Sequence, residues 1–360
     1  MQLLVTGGTG RIGGNLVKAL IDKGHDVRVF AVRSDKAAEK VEALGGEIFE
    51  GDLRSIDDCI AAVRGTKAIY HLGAYLPTPF DASFYTRSQA EKTQILFDVN
   101  VRGTFNLLEA VALRCRECRR FILASTDATY PSGRPRDYAI DENTRQESGA
   151  SMGMYSISKH VDEILVRGYQ RQYGIPIVIF RFGSTLGIDE VLSKKMLYLM
   201  STADLWIKRL KEIKDPTDDV KRAIQELTEK AGGEERLVIP YHPEGWPHQH
   251  HICDVRDIAQ GLVLGLERDA AVGEAFNLAG PAPFTYEEMI PYLSKAIGVP
   301  YFKAVLPVPG VRMELSIAKA RTLLGYRPQY DVFRIIDDAL RIQRGEIVED
   351  FVSRGAPSEF

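Results

Sequence analysis

The segment Thr6-Gly7-Gly8-Thr9-Gly10-Arg11-Ile12-Gly13 constrains the fold more than any other stretch of the chain. It follows an apolar run at 3–6 and opens a helical pattern at 12–23, so it reads as the turn from a first strand into a first helix. Each of three glycines meets a different need: Gly7 a tight turn, Gly10 close approach of backbone amides to an anion, Gly13 close contact between helix and strand. A helix N-terminus presents unpaired N–H groups, and a pyrophosphate is the anion that such a strand, turn and helix receive best.

Further apolar runs at 27–32, 47–50, 68–72, 121–125 and 177–181 alternate with helix-length segments such as 35–44 and 56–63. Parallel strands with crossover helices read this way. The connection from 68–72 to 121–125 is longer, with Pro77 and Pro79 in a loop before a long helix through Asn100 to about Arg114. Six strands so joined predict an α/β chain, a doubly wound parallel Rossmann-type sheet with a smaller, mostly C-terminal substrate-binding part. The expected boundaries are 1–183 and 234–266 for the sheet domain, 184–233 and 267–360 for the rest. Between 192 and 230 an apolar stripe of Met196, Leu199, Met200, Leu205 and Leu210 fits a helix pair packed on the domain or a lid over it. Strand, helix and strand are expected at 237–240, 255–265 and 275–278.

A chain of 360 residues, 45% of them hydrophobic, excludes a disordered or collagen-like protein. Lys plus Arg is 46 against 49 Asp plus Glu, a net charge of -3, so nothing attracts nucleic acid or an anionic membrane. A small molecule is the expected partner. No apolar run reaches the roughly 18 residues that span a bilayer. Four cysteines are too few for a disulfide framework, and a strand starting right after Met1 leaves no room for a signal peptide. The expected location is the cytoplasm.

Other landmarks follow the TGxxGxxG segment in order: Asp52-Leu53, His71-Leu72-Gly73-Ala74, Asn100-Val101-Arg102-Gly103-Thr104, Ser125-Thr126-Asp127-Ala128-Thr129-Tyr130 and Tyr155-Ser156-Ile157-Ser158-Lys159. Arg181, Val255-Arg256-Asp257, Phe276-Asn277-Leu278-Ala279-Gly280 and Leu324-Gly325-Tyr326-Arg327-Pro328 come later. Together they cover most of the chain. The set resembles the extended short-chain dehydrogenase/reductase family, which includes nucleotide-sugar epimerases and dehydratases, hydroxysteroid dehydrogenases and flavonoid or aldehyde reductases. The resemblance implies a cofactor held by Gly7, Gly10, Arg11, Ile12 and Gly13, with Asp52 and Leu53 at its adenine and Leu72, Gly73 and Ala74 passing beneath it. It also implies a homodimer through the long helices containing Asn100 and Tyr155.

Tyr155 and Lys159 are four residues apart and share a helix face. A tyrosine with a pKa of ~10 needs a depression of about three units, roughly 4 kcal/mol, to accept a proton near neutral pH. A nearby ammonium and a nicotinamide can supply it in a water-poor site. Tyr155 is therefore the expected general acid/base; Lys159 is expected to lower its pKa and, as in the family, to bind the nicotinamide ribose. Thr126, with Ser125 as fallback, is the hydroxyl expected to hold a substrate carbonyl, and Asp127 lies beside it. Asn100 reads either as a catalytic or as a helix-packing residue. No metal is expected: Cys115 and Cys118 have no second ligand pair, and His250 and His251, adjacent on an extended segment, point to opposite faces. Lys208, Arg209, Lys211 and Lys214 read as a solvated helix face.

The leading reading is hydride transfer between a nicotinamide and a secondary alcohol or ketone. The alternative is a nucleotide-sugar epimerase or dehydratase with transient hydride transfer; a third is an NADP-binding regulator without catalysis. Ala128 stands where a sugar 4,6-dehydratase of the family has Glu. Ala31 ends the second strand where many NAD-using relatives have Asp, and Arg33 follows, so NADP(H) is favoured over NAD(H). Ser184 and His250 occupy positions where nucleotide-sugar relatives place an Asn and an Arg on the substrate diphosphate. With Tyr75, Phe80, Phe84 and Trp246 expected at the pocket border, these residues point to a non-nucleotide substrate, while Arg134, Arg136 or Lys194 keep the nucleotide alternative open.

Overall fold

The computed structural model describes residues 1–32, 35, 37–76, 86–115, 117–131, 138–149, 152–193, 199–308 and 312–353. Arg33, Pro77, Pro79, Phe80, Phe84, Arg134, Arg136, Lys194 and Met196 lie outside the described residues. Six strands, β1 (Gln2–Thr6), β2 (Asp26–Ala31), β3 (Glu47–Glu50), β4 (Ala68–His71), β5 (Arg120–Thr126) and β6 (Ile177–Phe182), form one parallel sheet with a seventh, Ala275–Leu278. From one edge the order is Ala275–Leu278, β6, β5, β4, β1, β2, β3. Strand order reverses between β1 and β4, where Thr6 stands opposite His71, and ligands of open α/β sheets bind at such a switch point.

Burial on both faces explains the strands' continuous apolar character. Leu3 and Val5 point to one side, with Leu16, Val17 and Leu20 of helix α1 (Arg11–Asp22) and Ile258 and Leu262 of the Val255–Glu267 helix. Leu4 points to the other, with Leu107, Leu108 and Val111 of the Gly103–Arg114 helix and Val166 of the Met154–Tyr173 helix.

Two expectations change. Of 234–266, the Val255–Glu267 helix packs on the sheet, but Leu237–Tyr241 pairs with Tyr301–Val305 instead, and the seventh strand lies beyond 266. The long helix through Asn100 is three pieces: Gln89–Leu96, a π-helical stretch Phe97–Arg102, and Gly103–Arg114. The wider turn carries Asn100 inward, where its amide nitrogen donates to the Tyr75 carbonyl and Ser158 Oγ while its oxygen accepts from the Tyr75 amide. Its packing role is thereby occupied on both polar atoms.

The 192–230 segment supplies two helices, Ala203–Lys211 and Asp218–Ala231, whose Trp206, Leu210, Val220 and Leu227 pack on Val238, Ala304 and Leu306. The basic run along the first helix and just past it is exposed.

A buried ion pair fixes the Met154–Tyr173 helix to the sheet. Arg181 Nη2 lies 2.7 Å from Glu163 Oε2, Arg181 Nε donates to Oε1 at 3.0 Å, and Ser125 Oγ donates to the same oxygen at 2.6 Å. Arg181→Met leaves Glu163 charged and uncompensated, so urea unfolding should show a loss of about 3–5 kcal/mol. The double variant with Glu163→Leu should lose less.

Candidate active site

At the end of β1, Gly7 adopts φ +69°, and a Cβ there would come within 2.9 Å of the Gly73 amide nitrogen. A Cβ on Gly13 would stand 2.1 Å from the Gly7 carbonyl oxygen. Only glycines permit this contact between turn, helix and the chain leaving β4. α1 begins without a capping side chain on Gly10 and without an acidic residue in its first turn. Its free N–H groups fit a pyrophosphate, with Gly10, Arg11 and Ile12 as the residues that would hold it.

Leu53 packs against Gly73 and Gly103, and its carbonyl accepts from Asn106 Nδ2 at 2.9 Å. Asp52 is engaged by Arg54, whose hydrogen bonds hold its carboxyl below the usual range. Leu72, Gly73 and Ala74 are half-buried at the switch point. The Arg11 side chain takes a place that spacing did not foretell: its Nη1 donates to the Thr185 carbonyl at 2.7 Å and pairs with Glu190 at 3.1 Å, tying the glycine loop to the chain after β6.

Thr126 caps the short turn Asp127–Thr129, accepting from the Ala128 amide at 3.2 Å and donating to Asp127 Oδ1 at 3.2 Å. Burial pushes the Asp127 carboxyl up to about 6, against the hydrogen bonds of Thr126 and Ala128. Ser125, the expected fallback, donates its hydroxyl to Glu163 Oε1 at 2.6 Å, within the buried pair with Arg181. Tyr155 and Lys159 lie in the first turns of the Met154–Tyr173 helix, Tyr155 half-buried and Lys159 buried. Burial, Asp127 and Asp162 hold the Tyr155 phenol above its ordinary value, and Arg11 pulls it down. The Lys159 ammonium pairs with Asp162 Oδ2 at 2.9 Å. Asp127, Arg11 and the Tyr155 helix thus converge on one place, beside the glycine loop.

Ser184 and His250 sit on adjoining segments. The strand Ser184–Leu186 pairs with Ile252–Asp254, and Gln249–His250 pairs with Phe284–Thr285. His250 packs on Tyr286 at 5.7 Å, and burial, His248 and Arg209 push it down to about 3, so its ring is neutral. His251 faces the other way, bonded to the Gly280 carbonyl and the Leu315 amide. Trp246 stacks on His242 at 4.3 Å. Among the described residues no cluster of His, Cys, Asp or Glu is arranged for a metal, and no helix is long and apolar enough to cross a membrane.

Four residues are not marked by the sequence pattern. Asp162 and Glu163 follow Lys159 as a carboxylate pair: Asp162 meets Lys159 at i,i+3 on the same helix, whereas the partner of Glu163, Arg181, is selected by the fold alone. Lys40 joins Gly8, Thr9, Leu44, Val352 and Ser353 around a shallow cleft beside the glycine loop. Asn15 holds the Val352 backbone from both sides, so the C-terminal segment crosses that loop.

Comparison with known proteins places this geometry. Over 166 residues, 46% of the chain, it is 37% identical to a 3 beta-hydroxysteroid dehydrogenase/Delta 5-->4-isomerase of Mycobacterium tuberculosis, and that match spans 42% of the relative's length. A 4-hydroxy-2-methyl-3-oxo-4-farnesyl-3,4-dihydroquinoline-1-oxide ketoreductase of Stigmatella aurantiaca is 34% identical over 322 residues, 89% of this chain and 80% of that one. A short-chain dehydrogenase/reductase superfamily protein from Agrobacterium tumefaciens, solved with bound NAD, superposes with a TM-score of 0.80 at 28% identity, covering 96% of this chain and 98% of the other. Residues 3–279 match the model of the NAD dependent epimerase/dehydratase family, and the chain belongs to that family.

Proposed function

We propose that this protein is a nicotinamide-dependent oxidoreductase acting on a secondary alcohol or ketone of a non-nucleotide small molecule. The observation that carries the reading is the convergence of Asp127 and the helix bearing Tyr155 and Lys159 on Arg11 of a glycine loop whose helix start is uncapped. A bound nicotinamide supplies the hydride acceptor or donor. Tyr155 takes the hydroxyl proton as the carbinol carbon gives up hydride, or returns it to the carbonyl oxygen in the reverse direction. Thr126 donates a hydrogen bond to that oxygen, and Lys159 binds the ribose and offsets charge on the phenolate.

The neutral ring of His250 and the single hydroxyl of Ser184 support a substrate without a diphosphate, which charged, bidentate donors bind far better. The hydroxysteroid dehydrogenase and quinoline ketoreductase relatives agree with that class. Nucleotide-sugar epimerisation remains the second reading, since the family includes it. For the cofactor we favour NADP(H): β2 ends at Ala31 with no carboxylate to repel a phosphate, and Lys40 puts a cation in the cleft beside Gly8 and Thr9. We assign the part after β6, apart from the Val255–Glu267 helix and the seventh strand, to substrate binding. Exposed Phe97, Phe105, Leu113, Ile157 and Ile164 on the two neighbouring long helices support a homodimer through that face. Four cysteines without a disulfide suit a reducing cytoplasm.

Tyr155→Phe should lower turnover by about 10²–10⁴ and leave cofactor affinity within about twofold, whereas Lys159→Ala should impair both. Near-normal turnover of the Phe variant would point to another acid/base. Titration calorimetry of Lys40→Ala should show about tenfold weaker NADPH and unchanged NADH; equal changes for both would remove the NADP preference. With cofactor present, neither UDP nor dTDP should bind at micromolar concentration, and binding of either would favour the nucleotide-sugar reading.

A further inference from the structure

We infer that Asp162 is a positioning residue of the proposed reaction, pairing with the Lys159 ammonium and so tempering, without abolishing, the stabilisation that ammonium gives the Tyr155 phenolate. The inference rests on the reading of Tyr155 as acid/base. Tyr155, Lys159 and Asp162 stand at i, i+4 and i+7 of one helix and so share one face of it. The ammonium lies 2.9 Å from Asp162 Oδ2, with Lys159 3% exposed and Asp162 fully buried. Besides Lys159, the Thr104 hydroxyl is the neutral group that favours the charged Asp162 carboxylate. A carboxylate removed from water depends strongly on its counter-ion.

The surrounding charges are otherwise committed. His71, at the end of β4, accepts or donates between Thr6 Oγ1 and Thr104 Oγ1 at 2.8 Å each, and burial with Lys159 nearby pushes it down to about 3, so it is neutral. Glu163 is taken by Arg181. Asp127 and Arg11 face Tyr155 with opposite effects, and Asp162 adds to that of Asp127. Burial pushes Asp162 itself up to about 6, opposed by Lys159 and Thr104 and reinforced by Glu163. Neutralising Asp162 therefore acts twice in one direction: it removes a negative charge that disfavours the phenolate and releases a positive one that favours it.

The pH profile of alcohol oxidation by the cofactor-saturated enzyme tests this. Its acid limb, set by ionisation of Tyr155, should move about one unit lower in Asp162→Asn and return to the wild-type position in Asp162→Glu. An unmoved limb, or one moved upward, in a folded Asn variant overturns the inference and leaves Asp162 a structural residue. A second measurement does not need that variant or any turnover. In carbon-13 NMR of aspartate-labelled protein, the resonance missing from Asp162→Glu should titrate at higher pH in Lys159→Met than in wild type, by about one unit or more. Identical titration means that the pair does not form in solution and also overturns it. If Tyr155→Phe keeps its turnover, the proposed function falls and this inference with it; an inactive Phe variant beside an unmoved Asp162→Asn profile defeats this inference alone.

Discussion

The carboxylate of Glu163 is the interaction on which the rest of this structure turns. Ser125 from β5 and Arg181 from β6 both converge on it, and it belongs to the helix that carries Tyr155 and Lys159. Arg181 continues the network, donating from Nη1 to the Tyr130 hydroxyl at 2.8 Å, which donates to Asn277 Oδ1 at 2.8 Å on the seventh strand. Three adjacent strands and one helix are thus locked in register by buried polar groups. Such groups have only one low-energy arrangement, because any slip leaves a charge unpaired away from water. The two site residues inherit that precision from Glu163, one turn further along the same helix face than Lys159.

The glycine loop is fixed by a different kind of constraint. Gly7 and Gly13 bring backbone segments closer than any Cβ would allow, and the Gly73 amide donates to Thr6 Oγ1 at 2.9 Å beside them. The loop is then held from outside. Arg11 reaches Thr185 and Glu190, and Asn15 clasps Val352, while Ser353 bonds Asp189. Arg256 anchors the same C-terminal segment through Asp350, and it also pairs with Asp254 and Asp338 and stacks on Tyr330 at 3.5 Å. A segment 337 positions away in sequence therefore bears on the glycine loop and its helix, through contacts that local pattern does not register.

Electrostatics around Tyr155 follow from burial more than from any single pair. Asp127, Asp162 and Tyr155 are all pushed toward their protonated forms by removal from water, while Lys159 and Arg11 each have a carboxylate partner. The histidines at 248, 250 and 251 obey the same rule: desolvation keeps each ring neutral, and they serve as packing and hydrogen-bonding groups.

By itself the sequence determined the sheet and the loop. Alternating apolar runs, glycines at fixed spacing and a Tyr and Lys four residues apart are local signals, readable because strand, turn and helix periodicities are properties of neighbouring residues. Ser125 was legible as a neighbour of Thr126 but not as a partner of Glu163, since the two are 38 residues apart and meet only when the helix lies on β5. The π-helical turn that swings Asn100 inward, and the seventh strand past the expected boundary, were likewise decided by what they pack against. The same holds for the charge of Lys159. Spacing put it beside Tyr155, but folding buried Asp162 against it, and in a low-dielectric interior the nearer carboxylate takes the ammonium.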